Sequence, residues 1–123
     1  MKFQPERIEG ANAITACTAQ SISVNTLPWS RSVIVPFEGE VTPWHCARFE
    51  DLTEAHFEPL LALRPELVIV GSGQRHRFVA PALLRALIAR GIGVECMDTP
   101  AACRTYNVLV SEKRRAVAAL LLD

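Results

Sequence analysis

Leu67-Val68-Ile69-Val70 is an unbroken apolar run that stops on Gly71-Ser72-Gly73. Apolar side chains at consecutive positions in so short a segment predict a central strand buried on both faces. Pro81 to Arg90 then follows the helical period. Leu83, Leu84, Leu87 and Ile88 make one stripe, Arg85 and Arg90 fall on the wet side, Pro81 sits in the first turn and Gly91 caps the end. Ile92 to Met97 returns to a strand pattern, with Gly93 to Met97 as the strand itself. Thr99 to Val110 is helical again, with Thr99 as N-cap and Pro100 in the first position. Its Ala102, Tyr106 and Leu109 face inward, and Arg104, Asn107 and Ser111 form the opposite, polar stripe. Ala116 to Leu122 is a last apolar run, short enough for a strand and alanine-rich enough for a buried helix. The strand is the favoured reading. The preceding helix returns the chain to the strand-start edge, and Ser111 to Lys113 is too short to climb back, so this strand should be parallel to the others.

The first third has the two-residue alternation of β structure at Ile14 and Ala16 and at Ile22 and Val24, followed by the β-branched run Val33-Ile34-Val35. These predict three sequential antiparallel strands, with turns at Asn25-Thr26-Leu27-Pro28 and Glu38-Gly39-Glu40. Pro36 and Pro43 bound the third strand and the short segment around Trp44. From Thr53, an N-cap candidate, the period is helical, with Phe57, Leu60, Leu61 and Ala62 on one side. Pro59 lies too far inside for a regular helix and predicts a kink or a short first turn. The fold class expected is α/β: a three-layer single domain over 1–123, its N-terminal antiparallel strands joined to a βαβαβ unit in a mixed central sheet.

Composition narrows the functions this fold can serve. A chain of 123 residues buries roughly two-thirds of its unfolded surface and needs no staple. Thirteen basic residues balance thirteen acidic ones, so no overall field draws in nucleic acid or an anionic membrane. No apolar run is long enough to span a bilayer, and Met1 to Glu6 has no apolar segment of a secretory leader. Cys17, Cys46, Cys96 and Cys103 have no C-x-x-C spacing and read as reduced core thiols. A cytoplasmic protein is expected.

No catalytic constellation closes. In a βαβα unit the turns after the strands share one edge, so Gly71, Ser72 and Gly73 should adjoin Thr99, and their backbone N–H groups could meet an anion with Arg75, His76 and Arg77 nearby. The dinucleotide fingerprint would need glycine at His76, and the ending of a Walker loop is absent. Structural turning and helix capping are the competing readings of these residues. Cys103, near a helix start, would need a base to act as a nucleophile, and His45, His56 and His76 have no spacing that connects them to it. His45 and Cys46 on a strand would point to opposite faces, so no metal site is expected. Lys113-Arg114-Arg115 lies at the strand-start edge, away from Arg75 and Arg77. Trp29 and Trp44 can cap the core or form a partner-binding patch.

The stretches 67–73, Gly91 to Thr99 and Ala102-Cys103-Arg104-Thr105-Tyr106-Asn107 together resemble a small uncharacterised α/β family. That family includes the mitochondrial respiratory complex I assembly factor three and the adipogenesis-associated protein. The resemblance implies a three-layer fold with no established catalytic machinery, substrate or cofactor. It marks Gly71, Gly73, Thr99, Arg104, Tyr106, Asn107 and Arg114 as matching polar or glycine positions, and it departs at Lys113, where the family commonly has glycine. No Arg- and Ser-rich amphipathic leader is present, so a mitochondrial location does not follow. The leading expectation is a non-enzymatic interaction or assembly module with a protein partner engaging Trp44 or Arg114. The alternative is a small anionic ligand, or a small hydrolytic or redox step, at the 71–73 and 99 turns with Arg104, Tyr106 and Asn107.

Overall fold

The structure, a computed structural model, describes residues 10–123; the N-terminal stretch Met1 to Glu6 lies outside them. Its centre is a five-stranded mixed sheet. The strands are β4 (Val33–Val35), β5 (Thr42–Pro43), β6 (Leu67–Gly71), β7 (Gly93–Met97) and β8 (Ala116–Leu120), in the order β5-β4-β8-β6-β7. β8 lies parallel to β6 and antiparallel to β4, and β6 is parallel to β7. The last apolar run is therefore a central parallel strand, as the short 111–113 connection requires. A second, three-stranded antiparallel sheet is built from β1 (Ile14–Cys17), β2 (Ile22–Val24) and β3 (Leu27–Trp29).

The alternation of side chains along the central strands feeds two cores. Leu67 and Ile69 of β6 and Ala116, Ala118 and Leu120 of β8 face the helix α3 (Thr99–Ser111) and the three-stranded sheet. Val68, Val70, Val117 and Ala119 face Trp44, Phe57, Leu60, Leu84 and Leu87 on the other side. The three layers follow, because a strand with no polar face must be covered twice.

Several local expectations need correction. Val33–Val35 does not pair with Ile22–Val24; it crosses into the central sheet, and the hairpin partner of β2 is Leu27–Trp29, read from sequence as a turn. Two residues, Asn25 and Thr26, make that hairpin, both with positive φ (52° and 71°), the conformation of a tight primed turn. Threonine in place of the usual glycine, and a proline inside β3, hide the signal. The Thr53 segment begins as a 3-10 helix over Glu54–Phe57 and becomes α-helical only at α1 (Glu58–Leu61), with Pro59 in its first turn, which is the short first turn expected. Ala62, placed on its apolar side, is exposed. Pro81–Leu84 is likewise 3-10 before α2 (Arg85–Ala89), and Ile88, assigned to the buried stripe, is 56% exposed. Gly91 caps α2 as predicted, with its N–H bonded to Ile88 O and that of Ile92 to Leu87 O.

The C-terminus of α3 explains the departure at Lys113. The Lys113 N–H donates to Val110 O at 2.9 Å and the Arg114 N–H to Leu109 O at 3.0 Å, the paired bonds of a Schellman ending. The residue between them must turn left-handed, and Lys113 does so at φ 64°. A side chain there costs energy that glycine avoids. Lys113→Gly should therefore stabilise the fold by about 1 kcal/mol, seen as a rise of about 4 °C in thermal midpoint. An unchanged or lowered midpoint would show that Lys113 is held by contacts worth more than its backbone strain.

Candidate functional site

β6 and β7 are in register with Gly71 opposite Met97, so their turns leave the sheet on one edge as the pattern requires. The turns meet, but they close on each other. Thr99 donates its backbone N–H to Gly73 O at 2.7 Å, and its Oγ1 accepts from Gly73 N–H at 2.9 Å and donates to Leu121 O at 2.7 Å. The Leu121 N–H returns to Gly71 O at 3.0 Å, so the exits of three strands are stitched together. A Cβ on Gly71 would lie 2.8 Å from Thr99 Oγ1 and 3.1 Å from Thr99 Cα, so only glycine permits this approach. Thr99 is not the N-cap. Asp98 takes that role, accepting from Ala101 N–H at 2.8 Å, and Pro100 is accordingly one position later than expected.

Ser72, fully buried like Thr99, organises the next loop. Its backbone N–H donates to Met97 O, its Oγ donates to Arg75 O at 2.7 Å, and the same oxygen accepts from Arg77 N–H at 3.0 Å. An anion cradle needs N–H groups aimed at solvent, whereas those of Ser72, Gly73 and Thr99 are all bonded within the protein.

Arg77 was grouped in the sequence with Arg75 and His76 as a potential anion partner. The structure turns it inward instead. Its guanidinium lies 4.6 Å above the Phe49 ring, pairs with Asp123 at 3.1 Å and bonds Glu50. Asp123 also accepts from Phe49 N–H at 3.1 Å. Bonding to Arg77, and then to Arg48, holds the Glu50 carboxyl below the usual carboxylate range. These partners lie 27 and 46 residues from Arg77 in sequence, so no local spacing announces the clamp.

Two of the marked residues of α3, Tyr106 and Asn107, bond within the protein. Tyr106 is fully buried, its hydroxyl within hydrogen-bond distance of Pro36 O (2.8 Å) and Asn12 O (3.1 Å), and burial pushes its pKa up. Asn107, placed on the outer polar stripe, instead grips the backbone of Ile14 from both sides: Nδ2 donates to its O at 2.8 Å and Oδ1 accepts from its N–H at 3.0 Å. Arg104 keeps the exposed side of the helix. Arg114 forms an ion pair with Glu66 at 3.0 Å at the opposite, strand-start edge.

Trp44, a candidate for partner contact, is 2% exposed. It meets Phe57 edge-on at 5.7 Å, and its indole N–H donates to His56 O at 2.8 Å. His56 accepts from the Thr53 N–H through Nδ1 and so presents Nε2–H to His45 O at 3.1 Å, which joins the segments around Trp44 and Thr53. Clefts of about 420 and 490 Å³ flank His45, the first reaching Arg31 and Ser32, the second walled by Ile34, Pro43 and Pro59. Cys46 borders the first cleft, but its thiol is bonded to Arg48 O and burial pushes its pKa up, so no activated nucleophile forms. Among the described residues no helix is long and apolar enough to cross a membrane.

What is left outward on the carboxyl edge is the loop tip. Phe78 is 79% exposed and lies against His76 with the rings tilted at 56° and their centroids 4.4 Å apart, next to exposed Arg75.

A mixed sheet covered on both faces, with Thr99, Tyr106 and Asn107 bonded internally, defines a small three-layer α/β module of the Mth938-like type. The chain belongs to the family of proteins of unknown function DUF498/DUF598, whose model matches residues 14–121. It is 43% identical over 83 residues to the bovine (Bos taurus) NADH dehydrogenase [ubiquinone] 1 alpha subcomplex assembly factor 3, a match covering 66% of this chain and 45% of the relative. The chain thus spans about half the length of that relative. Among solved structures, a Bordetella parapertussis protein superposes with a TM-score of 0.88 at 40% identity, covering 95% of this chain and 100% of that one. A Bordetella pertussis protein described as a Mth938-like domain gives 0.80 at 33% identity, covering 100% of this chain and 93% of that one.

Proposed function

We propose that the protein is a non-enzymatic interaction or assembly module of the cytoplasm, docking a protein partner through the Arg75-His76-Phe78 loop tip. The observation that carries this reading is Phe78, 79% exposed on a loop whose base is fixed by Ser72 and Arg77. A large aromatic side chain held out on a rigid support fits a partner's apolar pocket at low entropic cost, and Arg75 beside it favours an acidic rim. The name of the bovine relative, an assembly factor, supports a protein partner, and four reduced cysteines suit a reducing compartment. The internal bonding of the Ser72, Gly73 and Thr99 N–H groups favours this reading over the anionic-ligand alternative.

Affinity capture with the intact chain and with Phe78→Ser tests this. Loss of an anchor of this kind costs roughly 2 kcal/mol of binding or more, so partner recovery should fall by about thirtyfold while the thermal midpoint stays within a degree or two. Recovery unaffected by the substitution, or stabilisation of the chain by phosphate or nucleotides instead, would contradict the reading.

A further inference from the structure

Cys17 ends β1 and Cys103 lies in the second turn of α3, and the structure brings their thiols into hydrogen-bonding contact within one core cluster. The approach is enforced by neighbours: Asn107, one turn further along α3, grips Ile14, three residues before Cys17, so β1 lies along the helix in a fixed register. Cys103 is fully buried, while Cys17 is 3% exposed and leads into the exposed residues Thr18, Ala19 and Gln20. The other two cysteines differ. Their thiols bond backbone and not another thiol, Cys46 at Arg48 O and Cys96 at Val79; burial pushes both upward in pKa, and the bond with Cys17, followed by burial, pushes Cys103 upward as well. The bond from Cys103 instead holds the Cys17 thiol below its ordinary range, which favours the nucleophilic thiolate there.

We propose that Cys17 and Cys103 are a redox-active dithiol that hydrogen peroxide converts to an intramolecular disulfide, fastening the three-stranded sheet to α3. The Cys17 thiolate attacks one peroxide oxygen, the O–O bond breaks, and Cys17 becomes a sulfenic acid as hydroxide leaves. The Cys103 sulfur then attacks the Cys17 sulfur, the S–O bond breaks, and the departing hydroxide takes the Cys103 proton. In sum, two thiols and one peroxide give one disulfide and two waters, the sulfurs losing the two electrons that the peroxide gains. A small oxidant such as a peroxide suits a thiol that is only 3% exposed better than a bulky disulfide reagent does.

The test is stepwise oxidation of the intact chain with hydrogen peroxide, followed by denaturation, thiol blocking, intact mass and peptide mapping. The expected result is loss of two of the four thiols, a mass decrease of two hydrogens and a Cys17–Cys103 cross-linked peptide, reversed by dithiothreitol. The oxidised chain should also melt at higher temperature. In Cys103→Ala the Cys17 sulfenic acid should persist, trapped by a dimedone reagent, and oxidation should no longer raise the midpoint. The wild-type peptide map decides the matter even if that variant folds poorly. Earlier loss of Cys46 or Cys96, passage of Cys17 to sulfinic acid without a cross-link, or survival of all four thiols would overturn the proposal.

Discussion

Thr99→Val is expected to destabilise the protein by about 2–4 kcal/mol, although it changes neither the shape nor the branching of the side chain. The hydroxyl lost is the one that accepts from Gly73 N–H and donates to Leu121 O in a fully buried position. Without it, both backbone groups are left unsatisfied, and each costs roughly 1–3 kcal/mol. Thr99→Ser keeps both bonds and loses only a methyl group, about 1 kcal/mol. Urea unfolding should show a large fall in midpoint for valine, a small one for serine and an unchanged slope for both. Equal effects of the two substitutions would mean that the hydroxyl does not join the strand ends.

The second large effect is at Trp44. Truncation to alanine should cost about 3–5 kcal/mol, because the indole fills the core against Phe57 and its N–H satisfies His56 O. Trp44→Phe should lose less, keeping most of the volume but leaving that carbonyl without its donor. A surface anchor behaves differently: its removal weakens capture of a partner and leaves the melting temperature alone. The contrast with Phe78→Ser, expected to spare stability and lose binding, separates the two aromatic residues by role. A Trp44→Ala protein with native stability would return Trp44 to the surface and undo the packing described.

The architecture was legible where local chemistry and global packing agree. The Leu67 to Val70 run, the Gly91 cap, the Pro59 interruption and the 111–113 connection each specify an outcome from a few neighbouring residues. The early strands were harder. Whether β4 continues the N-terminal hairpin or crosses to β8 depends on which sheet needs a buried β-branched strand, and that is decided by residues some 85 positions away, in the pairing of Val33 with Leu120. At the helix start, Asp98 and Thr99 are both competent caps. The choice falls to Asp98 because Leu121 and Gly73, distant in sequence, require the Thr99 hydroxyl. Asn107 looked solvated for a similar reason, since its partner is the backbone of Ile14, and backbone groups carry no sequence signal. The order of strands and turns brings the 71–73 and 99 turns to one edge, where the structure also has them. Its use could not be read, because hydrogen bonds that close a turn and those that hold an anion draw on the same glycines and hydroxyls.

The most direct measurement of that closure is amide hydrogen exchange at Gly73. If the 71–73 and 99 turns seal the sheet edge, the Gly73 N–H should exchange as slowly as the central amides of β6, and Thr99→Val should selectively release it. Exchange in the native protein as fast as that of the exposed residues Gln74 to His76 would mean that the edge is open, and the role assigned to Thr99 would fail.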